Sequence, residues 1–195
     1  SILFDNSLSV NLAVFRSDYD DLQQAVTQYT ASSAFIAVTN VGGMRSQGVE
    51  LDSTWQISSD WQFNANVAYL DAEYTDFEGA GCSSIQKYNQ PDGCTQDLSG
   101  KAPPFSPDYS GSVGLSYDTP ITENLEFSSN LVMAFSDGYF LDVTRDSGLY
   151  QDAWQTYDLR LAISDASDTW ELSAVGRNLA DEKIMTAGNQ AIATL

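Results

Sequence analysis

Apolar and polar residues alternate with a period of two along most of this chain, and no stretch of comparable length carries helical spacing. Leu8, Val10, Leu12 and Val14 fall on one face of an extended segment, and Ser9, Asn11 and Ala13 on the other. Val49, Leu51, Trp55 and Ile57 likewise oppose Glu50, Asp52, Thr54 and Gln56, and Trp61, Phe63, Ala65, Val67 and Tyr69 oppose Gln62, Asn64 and Asn66. The pattern returns in Val113, Leu115 and Tyr117, in Leu125, Phe127, Leu131, Met133 and Phe135, in Tyr157, Leu159, Leu161 and Ile163, and in Trp170, Leu172 and Ala174. It predicts seven strands over 7–29, 34–57, 61–77, 106–118, 124–139, 153–164 and 169–180. Asp158 and Arg160 form a charge pair on a polar face.

The connections between these strands alternate in length. Ser58 to Asp60, Thr119 to Glu123 and Asp165 to Asp168 are tight turns, whereas Glu78 to Phe105 is a long loop and Leu141 to Asp152 a medium one. Short turns on one rim and long loops on the other characterise outer-membrane barrels. Aromatic placement points the same way. Trp61 and Tyr69, Tyr109 and Tyr117, and Phe127 and Phe135 are spaced eight apart on apolar faces. On a strand tilted by about 45°, eight residues rise roughly 19 Å along the barrel axis, close to the ~25 Å apolar band and its aromatic girdles. The expected fold is all-β: an antiparallel up-and-down transmembrane β-barrel, present as about seven strands of a larger one. Bacterial single-chain barrels are even-stranded, so an odd count with two unpaired edges reads as an open arc. Two other readings stay open, because any half-buried strand alternates: a complete eight-stranded barrel with one strand uncounted, and a secreted soluble β-sandwich that binds a partner.

Composition narrows the function classes. Asp and Glu number 27 against 8 Lys and Arg, a formal net charge of −19, so no nucleic-acid partner is expected. With 43 % hydrophobic residues the chain is rich enough to fold. No apolar run is long enough for a transmembrane helix. Ser1-Ile2-Leu3-Phe4-Asp5 has none of the parts of a signal peptide, so an exported protein is expected to begin upstream. Cys82 and Cys94 sit in one turn-rich segment. They fit a short-loop disulfide in an oxidising compartment or two free thiols in a reducing one; the disulfide would restrict the unfolded loop by about 3 kcal/mol.

Catalytic chemistry is sparse. The sequence has no histidine, which removes His-based triads, HExxH zinc sites and His-ligated haem from this segment. Gly100-Lys101-Ala102 lacks the spacing and hydroxyl of a phosphate loop. Asp18, Asp20 and Asp21 lack the loop Gly and closing bidentate carboxylate of a calcium loop, so a surface acidic cluster is the better reading. No catalytic residue, metal site or cofactor is expected.

Five segments, in order, resemble the barrel of TonB-dependent receptors. Asn40-Val41-Gly42-Gly43-Met44-Arg45-Ser46-Gln47-Gly48-Val49-Glu50-Leu51-Asp52 is similar to the family's N-x-G…G-x-E-x-(D/E) strand. Asn11 to Gln23 resembles the strand before it, Ala68 to Tyr74 the Y-x-D-A-x-Y strand after it, Leu98 to Pro107 the entry to the next, and Trp170 to Glu182 the penultimate strand with its Gly176-Arg177-Asn178-Leu179-Ala180-Asp181-Glu182. The resemblance implies a plugged barrel of ~22 strands in the bacterial outer membrane, energised through TonB, importing a metal chelate, most commonly a ferric siderophore. The family's plug, TonB-contacting box and closing aromatic strand find no match between Ser1 and Leu195, so residues 1–195 are expected to be a single incomplete domain, about the last third of the barrel. The implied partners are outer-membrane lipid, the TonB complex through the plug, and a small-molecule ligand. Because outer loops select the ligand in this family, the candidate contacts are Lys87, Tyr88, Asn89 and Gln90 on the long loop and Arg145 and Asp146 on the next.

Overall fold

The computed structural model describes residues 2–3, 7–29, 34–90, 93–167 and 169–188. Its elements are β1 (Ile2–Leu3), β2 (Leu8–Tyr29), β3 (Ala34–Gln56), β4 (Trp61–Asp76), β5 (Ala80–Gly81), α1 (Ser84–Asn89), β6 (Thr95–Gln96), β7 (Tyr109–Thr122), β8 (Leu125–Ser136), β9 (Tyr139–Phe140), β10 (Tyr150–Gln151), β11 (Trp154–Asp165) and β12 (Glu171–Gly176). One antiparallel sheet runs β1-β2-β3-β4-β7-β8-β11-β12, so each long strand pairs with its neighbour in sequence. The seven predicted strands are all present, and the two-residue β1 adds an edge. Among the described residues β1 and β12 do not pair with each other, so the sheet is an open arc rather than a closed eight-stranded barrel.

Register explains why the alternation matters. Directly opposed residues share a face, and successive pairings carry one row across the arc: Leu8, Trp55, Phe63, Leu115, Leu131 and Leu159. On the other face Asn11, Asp52, Asn66, Ser112, Ala134 and Thr156 form an equally continuous row. The apolar face is the uncovered one. Leu12 is 66 % exposed, Val14 76 % and Leu172 71 %. A β-sandwich would bury this face under a second sheet, and among the described residues the other sheets are only the two-residue pairs β5–β6 and β9–β10.

Aromatic side chains bound the apolar band. Towards the short turns, Trp61 packs 4.5 Å from Tyr117, which lies 6.3 Å from Phe127. Towards the long loops, Tyr69 is opposite Tyr109, whose ring is 6.5 Å from Phe135. Beyond this second row the outer face of β2–β4 turns abruptly ionic. Arg45 contacts Asp18 at 3.0 Å and Glu73 at 3.5 Å, Arg16 contacts Asp18 at 2.9 Å, and Gln47 donates to Asp71 at 2.8 Å. A spanning strand needs about 9–11 residues, whereas β2 and β3 have 22 and 23. These strands therefore project past the band on the long-loop side. The described apolar core sits there as well: Val41, Tyr74, Phe77, Ala80, Leu98 and Val143 bury one another where the loops fold onto the inner face, with Leu22 and Met44 against them.

Several details differ from the sequence reading. The turn expected at Thr119 to Glu123 tightens to Glu123 and Asn124, because β7 runs on to Thr122 with an irregular register between Pro120 and Thr122. Pro120 has no N–H to give the ladder, and a bulge absorbs the defect. β7 starts at Tyr109 rather than residue 106. The strand expected to reach residue 139 ends at Ser136, and Tyr139–Phe140 forms the separate β9. The last strand stops at Gly176, short of residue 180, where Asn178 (φ 47°) and Asp181 (φ 52°) turn left-handed and Asn178 N–H donates to the Asp158 carboxylate at 2.7 Å. Arg160 pairs with Glu171 across the β11–β12 ladder, not with Asp158 as expected. Ser1, Phe4, Asp5, Asp168 and the Thr194-Leu195 end lie outside the described residues.

Candidate functional site

The long loop from Glu78 to Phe105 is built, not merely displayed. A disulfide joins Cys82 to Cys94, whose Cα atoms are 5.9 Å apart. Beside it Ser83 caps α1, its hydroxyl accepting from Gln86 N–H at 3.3 Å while the Gln86 side chain accepts from Ser83 N–H at 2.7 Å. This reciprocal box satisfies donors that a six-residue helix would otherwise leave open. Gln96 then ties the two outer loops together, donating to the carbonyls of Gly81 at 2.7 Å and Thr144 at 3.0 Å. Two residues beyond, Leu98 N–H donates to the Phe77 carbonyl at 3.0 Å, closing the base of the loop onto the end of β4. The Ser99 side chain and the Ser99 N–H, the latter donating to the Asp97 carboxylate at 2.8 Å, hold the Asp97 pKa below the ordinary value.

The sequence-selected residues divide between two places. Lys87, Tyr88 and Asn89 belong to α1, and Gln90 closes that helix through its N–H to the carbonyls of Gln86 and Lys87. Tyr88 is 72 % exposed, Asn89 and Gln90 are exposed, and Lys87 is half-buried. None of the four lines the cleft that holds Arg145. Asp146 has a structural task, capping the short 3-10 turn Ser147–Leu149 by accepting from Gly148 N–H at 2.9 Å.

Arg145 occupies a different setting. It lines a cleft of about 490 Å³ at the long-loop rim, walled on one side by Ala102, Pro103, Ser106 and Asp108 and on the other by residues of the 137–150 segment. Its guanidinium lies 4.2 Å over the Phe140 ring, and Nη1 donates to the Ala102 carbonyl at 3.0 Å. Burial pulls its pKa below the ordinary arginine value. Tyr139, Phe140, Tyr150, Asp108 and Asp137 complete the cleft and were not selected from sequence. The available signal was the aromatics standing immediately outside strand ends, at the two feet of one loop.

An uncovered apolar face, bounded by aromatic rows and topped by folded loops on one rim, defines the class: an arc of an outer-membrane β-barrel. The family described as "TonB dependent receptor-like, beta-barrel" matches residues 2–179, and the chain belongs to it. Solved structures agree on the fold. The ferric yersiniabactin uptake receptor FyuA from Yersinia pestis aligns over 96 % of this chain and 24 % of its own, at 18 % identity and a TM-score of 0.71. The siderophore receptor PiuA from Acinetobacter baumannii aligns over 95 % and 24 %, at 20 % identity and 0.64. The copper transporter OprC aligns over 92 % and 25 %, at 16 % identity and 0.61. The chain spans about a quarter of the length of these structures. The family consists of transport receptors of the Gram-negative outer membrane, and that membrane is where this arc belongs.

Proposed function

We propose that the chain is one incomplete barrel domain of a receptor that imports a metal chelate, most readily a ferric siderophore, across the outer membrane with energy delivered through TonB. The observation that carries this reading is the conjunction of an outward apolar band with a cleft of about 490 Å³ built between folded loops at the same rim. The band supports outer-membrane lipid as a partner, and the loops would supply a structured surface where a ligand is met before it enters the lumen. Of the three structures compared above, one is named a ferric yersiniabactin uptake receptor and one a siderophore receptor, which supports a ferric siderophore over other chelates. Lys87 to Gln90 on the stapled tip would make first contact, and Arg145 would hold the ligand deeper in the rim.

Uptake measurements on the intact receptor test this. Cells expressing it should accumulate radiolabelled iron from at least one ferric siderophore, and deleting either the receptor or TonB should abolish that accumulation. Accumulation that persists without TonB, or growth under iron limitation that is indifferent to the receptor with every chelate supplied, would remove the proposal.

A further inference from the structure

Surface loops are ordinarily the most independent and mobile parts of a fold. Here three segments at the long-loop rim are joined to one another. The first join is Gln96. It stands opposite Ala80 in the two-residue β5–β6 ladder, Gly81 pairs with Thr95, and the Cys82–Cys94 disulfide stands where the next rung would be. Held in that frame, the Gln96 carboxamide is engaged on both sides. Nε2 donates to the Gly81 carbonyl of its own loop at 2.7 Å and to the Thr144 carbonyl of the next loop at 3.0 Å, while Oε1 accepts from Gln86 Nε2 at 3.2 Å. A primary amide has two N–H donors, so both serve this bridge.

The second join is Gln151, only 4 % exposed. Its Oε1 accepts from Met185 N–H at 2.7 Å, and its Nε2 donates to the Asp152 carbonyl at 2.8 Å. Met185 belongs to the segment that follows β12. Asn178 braces that segment by exchanging two hydrogen bonds with the Glu182 backbone, at 2.9 and 3.0 Å. Further on, Gly188 lies so near Leu149 that a Cβ would come within 2.6 Å of that side chain. Residues 141–152 are therefore held from both sides, through Thr144 and through Gln151. A buried amide that loses its partner is costly, so each join resists opening. We propose that the rim segments 78–105, 141–152 and 177–188 form one cap, latched in series by Gln96 and Gln151, which shifts as a single body rather than loop by loop. This goes beyond the import reading and does not depend on it.

The test uses the intact receptor in lipid vesicles, carrying nitroxide labels in pairs at exposed positions introduced as Asn89→Cys, Ser147→Cys and Ala187→Cys, with the native cysteines left bonded. Pulsed electron paramagnetic resonance should give one narrow distance for each of the three pairs. Gln96→Glu keeps the side-chain length but loses both N–H donors. It should raise the share of a longer distance about fivefold, the factor one net hydrogen bond gives, for the 89–147 and 89–187 pairs and leave 147–187 unchanged. Gln96→Met, uncharged and of similar length, should repeat that result, which separates the lost donors from the added charge. Gln151→Leu should loosen 147–187 and 89–187 and leave 89–147 unchanged. The heat-modifiable gel shift checks that each variant barrel is folded. Broad distances for all pairs before any latch is altered, unchanged distances in the latch variants, or equal loosening of all three pairs by either latch alone would each overturn the proposal.

Discussion

Single residues show how tightly the arc is drawn. Gly48, on the inner face of β3, faces the Tyr69 carbonyl and is covered by the Phe15 ring from β2. A Cβ there would sit 2.3 Å from the carbonyl oxygen and 2.9 Å from the ring. The ring can swing aside; the backbone oxygen of the neighbouring strand cannot, short of prying β3 from β4. Gly48→Ala should therefore destabilise the folded barrel by about 1–3 kcal/mol, the usual cost of overpacking. Urea-unfolding midpoints of the refolded receptor, read by its heat-modifiable gel shift, measure this, and a midpoint equal to wild type would mean the strands are looser than described. Arg145 is the counterpart, a residue kept in a conformation that suits it poorly. Strain of that kind persists only where the surroundings hold it, here the Phe140 ring under the guanidinium and the Ala102 carbonyl that accepts from it.

At the scale of elements, what could be read from the sequence followed the range of the contacts. The hairpin of β2 and β3 was legible because alternation is local and strong: Leu12 to Val14 and Val49 to Leu51 announce their faces without reference to the rest of the chain. The strand ends were less so, since Pro120 and Asn178 act through bulges and left-handed turns that alternation does not register. Within the long loop, α1 escaped notice because a six-residue helix has no periodicity to detect, and its support comes from Ser83, the disulfide and the tie from Gln96 to Thr144. The cleft depends on bringing residues 102–108 against 137–150, a juxtaposition set by the β7–β8 register, so only Arg145 of its lining was picked out. The staple itself is testable. Reduction of Cys82–Cys94 should speed trypsin cleavage after Lys87 several-fold and leave the barrel's heat-modifiable shift intact, since the constraint worth about 3 kcal/mol acts on the loop alone. Cleavage at the same rate with and without reductant would show that the capping box and Gln96 suffice.

The whole molecule is a sheet with two solvents. Its outer face meets hydrocarbon between the Trp61–Tyr117–Phe127 and Tyr69–Tyr109–Phe135 rows, and its inner face carries the Asn, Asp, Ser and Thr residues that suit a wet lumen. The formal charge of −19 is accommodated by projecting strands, loops and lumen wall rather than by the band. The proposed lipid contact and ligand presentation by the loops both depend on which face looks outward. Nitroxide labels placed singly from Phe127 to Ala134 along β8, in the intact receptor in lipid vesicles, measure that directly. Oxygen accessibility should peak at 127, 129, 131 and 133 and accessibility to a water-soluble nickel chelate at the even positions. Occlusion of the odd positions from both reagents, as in a soluble two-layer core, would contradict the account.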